Sequence, residues 1–176
     1  MRKAVLFIAM SLDGYIADSS GGVGWLSGQS DDNETTDTYS EFVKGIDTVL
    51  MGWNTYRQVV TELSPDEWIY GDFNTYVFTH DKRVSSEQIR FTDESPACLL
   101  QKLKQGDGKD IWICGGADLI RQLMDADLID RYHISVIPTL LGNGIRLFGE
   151  FPDERKLSLV TTRNNNGIVE LIYENR

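Results

Sequence analysis

Apolar residues in this chain fall into short continuous runs that alternate with segments of helical spacing. Residues 4–9, Ala-Val-Leu-Phe-Ile-Ala, form an unbroken apolar run, the pattern of a strand buried on both faces. Residues 11–30 carry Asp13-Gly14, Ser20-Gly21-Gly22 and Gly24, so they read mostly as loop, and a loop that long in a compact domain is usually functional. Tyr39, Phe42 and Val43 give residues 37–44 a helical spacing that stops at Gly45, a C-terminal cap. Residues 48–51 predict a short buried strand closed by Gly52, and 53–60 a helix.

Residues 75–79 and, more weakly, 89–92 read as strands. Residues 96–104 read as a helix with Ser95 as N-cap and Pro96 at its first position. A strand at 111–114 runs into a helix at 117–124, with Leu119, Ile120, Leu123 and Met124 on one face. A strand at 132–137 ends at Pro138, and the glycine-rich stretch 141–149 follows. Segments 157–162 and 168–173 flank Asn164-Asn165-Asn166-Gly167, which predicts a hairpin. The whole chain, 1–176, therefore reads as one α/β domain with a mostly parallel central sheet and an antiparallel C-terminal hairpin.

Composition narrows the function classes. The 176 residues are 41% hydrophobic and 25% charged, ordinary globular values that suit one core. A formal charge of −10 argues against nucleic acid or an anionic membrane as partner, so a phosphate-bearing ligand needs a local basic patch. No run approaches the roughly 20 apolar residues of a membrane span. Met1-Arg2-Lys3 and the apolar stretch behind it read as a first strand, not a signal peptide. Cys98 and Cys114 form neither a disulfide framework nor a metal pair, and a cytoplasmic protein without a metal is expected.

Chemistry concentrates at strand ends. Residues 111–120 pass from a buried strand through Gly115-Gly116 straight into a helix. Glycines admit close approach of a ligand to backbone, and the new helix offers unpaired N–H groups and its positive dipole end to a phosphate. A plain strand-to-helix turn reads the same way, so the motif needs company. Met51-Gly52-Trp53-Asn54-Thr55 repeats the arrangement, and Thr79-His80-Asp81-Lys82-Arg83 sets a hydroxyl, an imidazole and two cations after a third strand. That cluster suits the 2′-phosphate of NADPH, or it is a solvated turn. Asp130 lies near the spacing of a ribose-binding acid, or it simply ends a helix.

Three ordered segments carry a resemblance: Ala9-Met-Ser-Leu-Asp-Gly-Tyr-Ile-Ala17; Met51-Gly-Trp-Asn-Thr-Tyr56; and Cys114-Gly-Gly-Ala-Asp-Leu119, continuing to Leu128-Ile-Asp130 and Pro138-Thr-Leu-Leu-Gly-Asn-Gly144. Together they resemble the reductase domain of the riboflavin-biosynthesis deaminase–reductase, in the dihydrofolate-reductase-like superfamily, from near residue 3 to near residue 173. The resemblance implies a three-layer α/β/α fold and an NADPH-dependent reductase, similar to 5-amino-6-(5-phosphoribosylamino)uracil reductase. It implies a small heterocyclic, carbonyl or imine substrate and a homodimer. It places Ala9 and Trp25 beside the nicotinamide, and Gly52, Trp53, Thr55, Gly115, Gly116, Ala117, Asp118 and Leu119 along the phosphates. Thr79, His80 and Lys82 would face the adenosine phosphate.

The chain also departs from that family. Cys114 stands where the riboflavin enzyme commonly has a glutamate, Trp53 where many relatives have arginine, and Val59-Val-Thr-Glu-Leu-Ser64 where an Asp-x-Pro pattern is usual. No deaminase half with zinc-binding residues is present. A reductase needs a proton source, a carboxyl or a bound water, and Asp13 and Asp37 are the candidate acids. Asp13 also reads as a turn former before Gly14, and Asp37 as one of several acids at a helix start. His133 reads as structural, and Cys114 as a packed thiol ahead of a nucleophile. A dihydrofolate-reductase-like pterin reductase and a non-catalytic nucleotide-binding or sensor protein are the alternative functions.

Overall fold

The apolar runs all become strands in the computed structural model, which describes residues 1–30, 38–150 and 154–176. The elements are β1 (Ala4–Ser11), β2 (Tyr15–Ala17), α1 (Thr38–Val43), β3 (Ile46–Gly52), α2 (Trp53–Gln58) with a π-helical turn (Val59–Leu63), β4 (Asn74–Phe78) and β5 (Ile89–Thr92). They continue as α3 (Pro96–Gln105), β6 (Asp110–Gly115), α4 (Ala117–Asp125), β7 (Arg131–Ile137), β8 (Ile145–Arg146), β9 (Leu157–Asn165) and β10 (Ile168–Asn175). Eight strands form one sheet in the order β5-β4-β3-β6-β1-β7-β10-β9. The first six are parallel, and β10 runs antiparallel to both β7 and β9.

Alternation along each central strand feeds two cores, as the pleat demands. Ala4, Leu6, Leu50, Ile111 and Ile113 point to the face covered by α3 and α4, where Leu100, Ile120 and Leu123 are fully buried. Val49, Met51 and Trp112 point to the other face, against Phe42 of α1, Val59, and Tyr70 and Phe73 of the following loop. Each large aliphatic chain buried this way contributes roughly 1.5–3 kcal/mol. The layers are thus α/β/α, as the resemblance implied. Among the described residues no helix is long and apolar enough to cross a membrane.

The hairpin closes through a two-residue turn, with Asn166 at φ 50 and Gly167 at φ 77. Two positive φ values in succession give the primed turn that matches strand twist, and both strands extend beyond the predicted segments. Two elements lie where the pattern reads as loop. Strands β2 and β8 pair antiparallel, Tyr15 with Arg146 and Ala17 with Ile145, and Arg146 sits 4.7 Å over the Tyr15 ring. Strands of two and three residues carry no readable period. The helix predicted over 53–60 narrows to Trp53–Gln58 and widens into the π turn, where Ser64 N donates to Val59 O at 2.8 Å.

Candidate active site

The parallel strands leave the sheet in opposite directions at one place. From β3 the chain runs outward to β4 and β5, whereas from β6 it crosses β1 to reach β7. Adjacent β3 and β6 therefore form the topological switch point, and ligands in open α/β sheets bind there at the carboxyl ends. Register pairs Met51 with Gly115. A Cβ on Gly52 would lie 3.8 Å from Gly116 N, and one on Gly116 would lie 3.4 Å from Thr55 Oγ1. Two segments 60 residues apart in the chain thus meet as one wall made of backbone and a hydroxyl. Gly115 holds φ +120, and the Gly115–Gly116 peptide is cis.

Helix α4 starts on that wall with Gly116 as N-cap and no side-chain cap. Its first N–H groups, on Ala117, Asp118 and Leu119, lie ahead of the first intrahelical bond, Ile120 N to Gly116 O. The Leu119 side chain is buried in the core, so that residue offers only its amide. The Asp118 carboxylate turns back along the helix to Arg121 (2.7 Å) and Gln122 (2.8 Å). Its hydrogen bond to Arg121 holds it below the usual carboxylate range.

The basic cluster follows β4. Thr79 is buried and accepts a hydrogen bond from Asp81 N at 3.2 Å, while His80 and Lys82 are exposed. Arg83 lies outside the cofactor residues that the resemblance implies, yet its guanidinium lies 3.6 Å from the Trp53 ring centroid, next to Gly52. Its cluster was visible in the sequence; the stacking partner was not. Asp81 also pairs with Arg83 at 3.2 Å.

The loop carrying Trp25 is fastened at both ends. Gln58 Nε2 of α2 donates to Gly21 O at 2.8 Å, and Ser30 exchanges hydrogen bonds with Asn166 of the hairpin turn. Trp25 itself is partly exposed and donates to Gly22 O at 3.3 Å. Ala9 lies on β1 beyond the end of the β1–β6 ladder, which stops at Leu6 and Ile113.

Asp13 follows β1 at the same end of the sheet. Its carboxylate accepts from Ser11 Oγ (2.6 Å), Leu141 N (3.1 Å) and Gly142 N (2.7 Å). These bonds, led by Ser11, lower its pKa to about 2. A carboxyl so held is a staple between two loops and carries no proton at neutral pH. Asp37 lies outside the described residues. Asp130 sits at the opposite, amino end of the sheet, accepting from Ala4 N and Lys104 Nζ, so it faces no ligand at the glycine turn.

This geometry agrees with the comparisons to known proteins. Residues 2–168 match the model of the RibD C-terminal domain. The chain belongs to the RibD C-terminal domain family. Within reach of that family, the protein YwjB of Bacillus subtilis (strain 168) is 41% identical over 175 residues, 98% of this chain and 97% of that protein. A solved structure from Shewanella sp. PV-4, assigned to riboflavin biosynthesis, superposes with a TM-score of 0.85 at 26% identity over 99% of both chains. The deaminase/5-amino-6-(5-phosphoribosylamino)uracil reductase of Thermotoga maritima gives a TM-score of 0.74 at 16% identity, covering 99% of this chain and 57% of that one. That last likeness is one of fold.

The wall before the glycines is neutral. Cys114 Sγ faces Tyr70 Oη at 3.9 Å on the α1 side. Burial pushes the thiol up to about 11, and burial also raises the phenols of Tyr70 and Tyr39. None of the three carries charge at neutral pH. A thiol so raised is a poor nucleophile, and the packed reading of Cys114 fits its surroundings.

Proposed function

We propose that this chain is an NADPH-dependent reductase of the riboflavin-biosynthesis reductase type, acting on a small heterocyclic, carbonyl or imine substrate. The observation that carries this reading is the meeting of Gly52, Thr55, Gly115 and Gly116 at the switch point, beneath a helix with no side-chain cap. In this reading the amides of Ala117, Asp118 and Leu119 receive the pyrophosphate, with Gly52, Thr55, Gly115 and Gly116 leaving room for it. The Ala9 backbone and Trp25 border the nicotinamide. Thr79, His80 and Lys82 receive the adenosine phosphate, joined by Arg83, which Trp53 holds ready by stacking. In a chain of charge −10, this small basic cluster supplies the local attraction.

When bound, the reduced nicotinamide supplies a hydride to an electrophilic carbon, and the protein's share is positioning and exclusion of water. Asp13 is ionised down to about pH 2, so the proton that completes the reduction comes from water or from Asp37. The neutral Cys114 wall favours a substrate whose nearest part is uncharged, which separates this chain from relatives with an acid at that position.

Calorimetric titration with NADPH and NADH tests the cofactor, and loss of reduced-nicotinamide absorbance with pyrimidine, pterin and carbonyl substrates tests turnover. NADPH is expected to bind the more tightly. Gly116→Val, which sets a branched side chain in front of the α4 amides, is expected to weaken NADPH at least tenfold while the circular dichroism spectrum is retained. Absence of binding by either nucleotide would sink the reading. Binding without turnover of any substrate would mark a nucleotide-binding protein on the same fold.

A further inference from the structure

The α1 face of the sheet carries a second polar group, on strands that the glycine motifs do not touch. Register sets Ala9 beside Ser135, Ser135 beside Glu170, and Glu170 beside Arg163. Two residues back, Phe7 pairs with His133 and packs in the aromatic cluster with Phe42 and Trp112. By the period of two, Ala9, Ser135, Glu170 and Arg163 share that same face. Glu170 therefore stands two strands from Ala9, about 10 Å across the sheet by strand spacing. The floor between them is made of small, partly open residues.

The electrostatics of this row are incomplete. The side chains of His133 and Glu170 are 7% and 14% exposed, with Nε2 and Oε2 3.5 Å apart. Among the described residues neither atom has a hydrogen-bond partner. Arg163 is the cation directly opposite Glu170, but it is committed to Glu41 of α1 at 2.6 Å. Arg131 is committed to Glu174 at 2.7 Å. Burial pushes His133 below the usual imidazole range, toward its neutral form. A buried polar atom left without a partner is costly, and such atoms are almost always satisfied. Two ligands do not hold a metal, and among the described residues no third His, Cys, Asp or Glu joins them.

We propose that Glu170, assisted by His133, is the substrate-gripping carboxylate of this site, taking the N–H edge of a planar aminated nitrogen heterocycle. The proposal rests on the reductase reading for its place beside Ala9. A carboxylate only accepts hydrogen bonds, so its match is a group with paired N–H donors, such as an amidine-like edge. His133 Nε2 offers one further bond to the same ring. Ala9 and Ser135, with small side chains, leave the ring room to lie flat between Glu170 and the cofactor side. The acid missing at Cys114 is thereby supplied from β10, on the opposite flank of the substrate.

Calorimetry on the full chain tests this, with and without saturating NADPH, using 2,4-diaminopyrimidine and unsubstituted pyrimidine as probes. The diamino compound is expected to bind at least tenfold more tightly than pyrimidine. Glu170→Gln keeps the shape, removes the charge and is expected to abolish that preference while leaving NADPH affinity in place. His133→Gln is expected to weaken the diamino probe severalfold. A folded Glu170→Gln protein that retains the preference overturns the proposal, as does a wild-type protein with no preference at all. Should Glu170→Gln fail to fold, amide shifts in labelled wild-type protein decide instead. Probe-induced shifts at Ala9, Ser135 and Glu170 are expected, and their absence overturns the proposal. Failure of NADPH to bind strikes the cofactor reading alone, because the probe titration without nucleotide still reports on Glu170.

Discussion

Two glycines in the loop before β8 separate the cost of backbone conformation from the cost of crowding. Gly142 holds φ +76 and Gly144 φ +143. A Cβ on Gly142 would meet nothing within 4 Å, whereas one on Gly144 would sit inside the Ala17 carbonyl oxygen and 3.2 Å from the carbonyl carbons of Ala17 and Asp18. Gly142→Ala thus carries only the left-handed penalty, about 1 kcal/mol. Gly144→Ala adds a more strained φ, about 1–3 kcal/mol, and must push β8 away from β2. That shift breaks the Tyr15–Arg146 and Ala17–Ile145 ladder and disturbs Leu147, which is buried and donates its N–H to Gly14 O. The expected loss is about 3–4 kcal/mol. At about 2–4 °C per kcal/mol for this size, Tm falls by about 3 °C for Gly142→Ala and about 10 °C for Gly144→Ala. Urea melts and thermal scans measure both. A loss at Gly144 no larger than at Gly142 would refute the contact and the short β2–β8 ribbon with it.

Asn166→Ala removes three side-chain hydrogen bonds to Ser30 and places alanine at φ 50. It is expected to cost about 1–3 kcal/mol and to raise hydrogen exchange at the Ser30 amide, while Asn166→Gly isolates the hydrogen-bond share. Because the folded-state pKa of Asp13 is depressed from 3.8 to about 2, its stabilisation is complete above about pH 4 and lost as pH falls through about 2. The stability gap between wild type and Asp13→Asn should close over that window, and a gap independent of pH would exclude the staple. Cys98 is exposed, while the Cys114 thiol is pushed up to about 11. Iodoacetamide at pH 8 should modify Cys98 first, followed by mass spectrometry; faster labelling of Cys114 would mean that its wall is open to water.

The fold was legible because central strands buried on both faces carry unbroken apolar runs, as residues 4–9 do in β1 and 111–114 in β6. Strand boundaries moved by the residues where pairing outlasts hydrophobicity, as in β9, whose polar end still pairs with β10. The β2–β8 ribbon stayed hidden because its strands are only three and two residues long, and the close glycine contact and the cation over a ring that accompany its pairing leave no periodic trace. The glycine wall at the switch point was legible for a related reason. It is built from backbone, and backbone approach leaves glycines in the sequence. Asp130 shows the limit: its spacing from the glycines matched a ribose acid, but strand direction put it at the other end of the sheet. Arg83 and Trp53 stack across a gap of 30 residues, which no local pattern reports.

The substrate side was less legible because its side chains come from strands brought together only by register. His133 reads as a structural residue in its own strand, and Glu170 as one polar position of a hairpin. Side by side, with Arg163 turned to Glu41, they become an acid and an imidazole whose facing atoms, among the described residues, make no hydrogen bond. The same comparison explains why the departure at Cys114 need not mean lost chemistry. Where the resemblance implied a glutamate, the chain has a neutral thiol facing Tyr70, so charge on that flank would have no partner and a polar substituent would meet an apolar wall. A carboxylate on β10 instead asks for donors on the far edge of the ring. The two changes together describe one substrate turned to present its N–H edge to β10 and an uncharged edge to Cys114. They predict a paired outcome: Cys114→Glu should tolerate polar substituents that wild type rejects, yet leave the Glu170-dependent preference for aminated rings intact. If restoring the acid at residue 114 abolished that preference, the two positions would be reading the same edge, and the orientation argued here would be wrong.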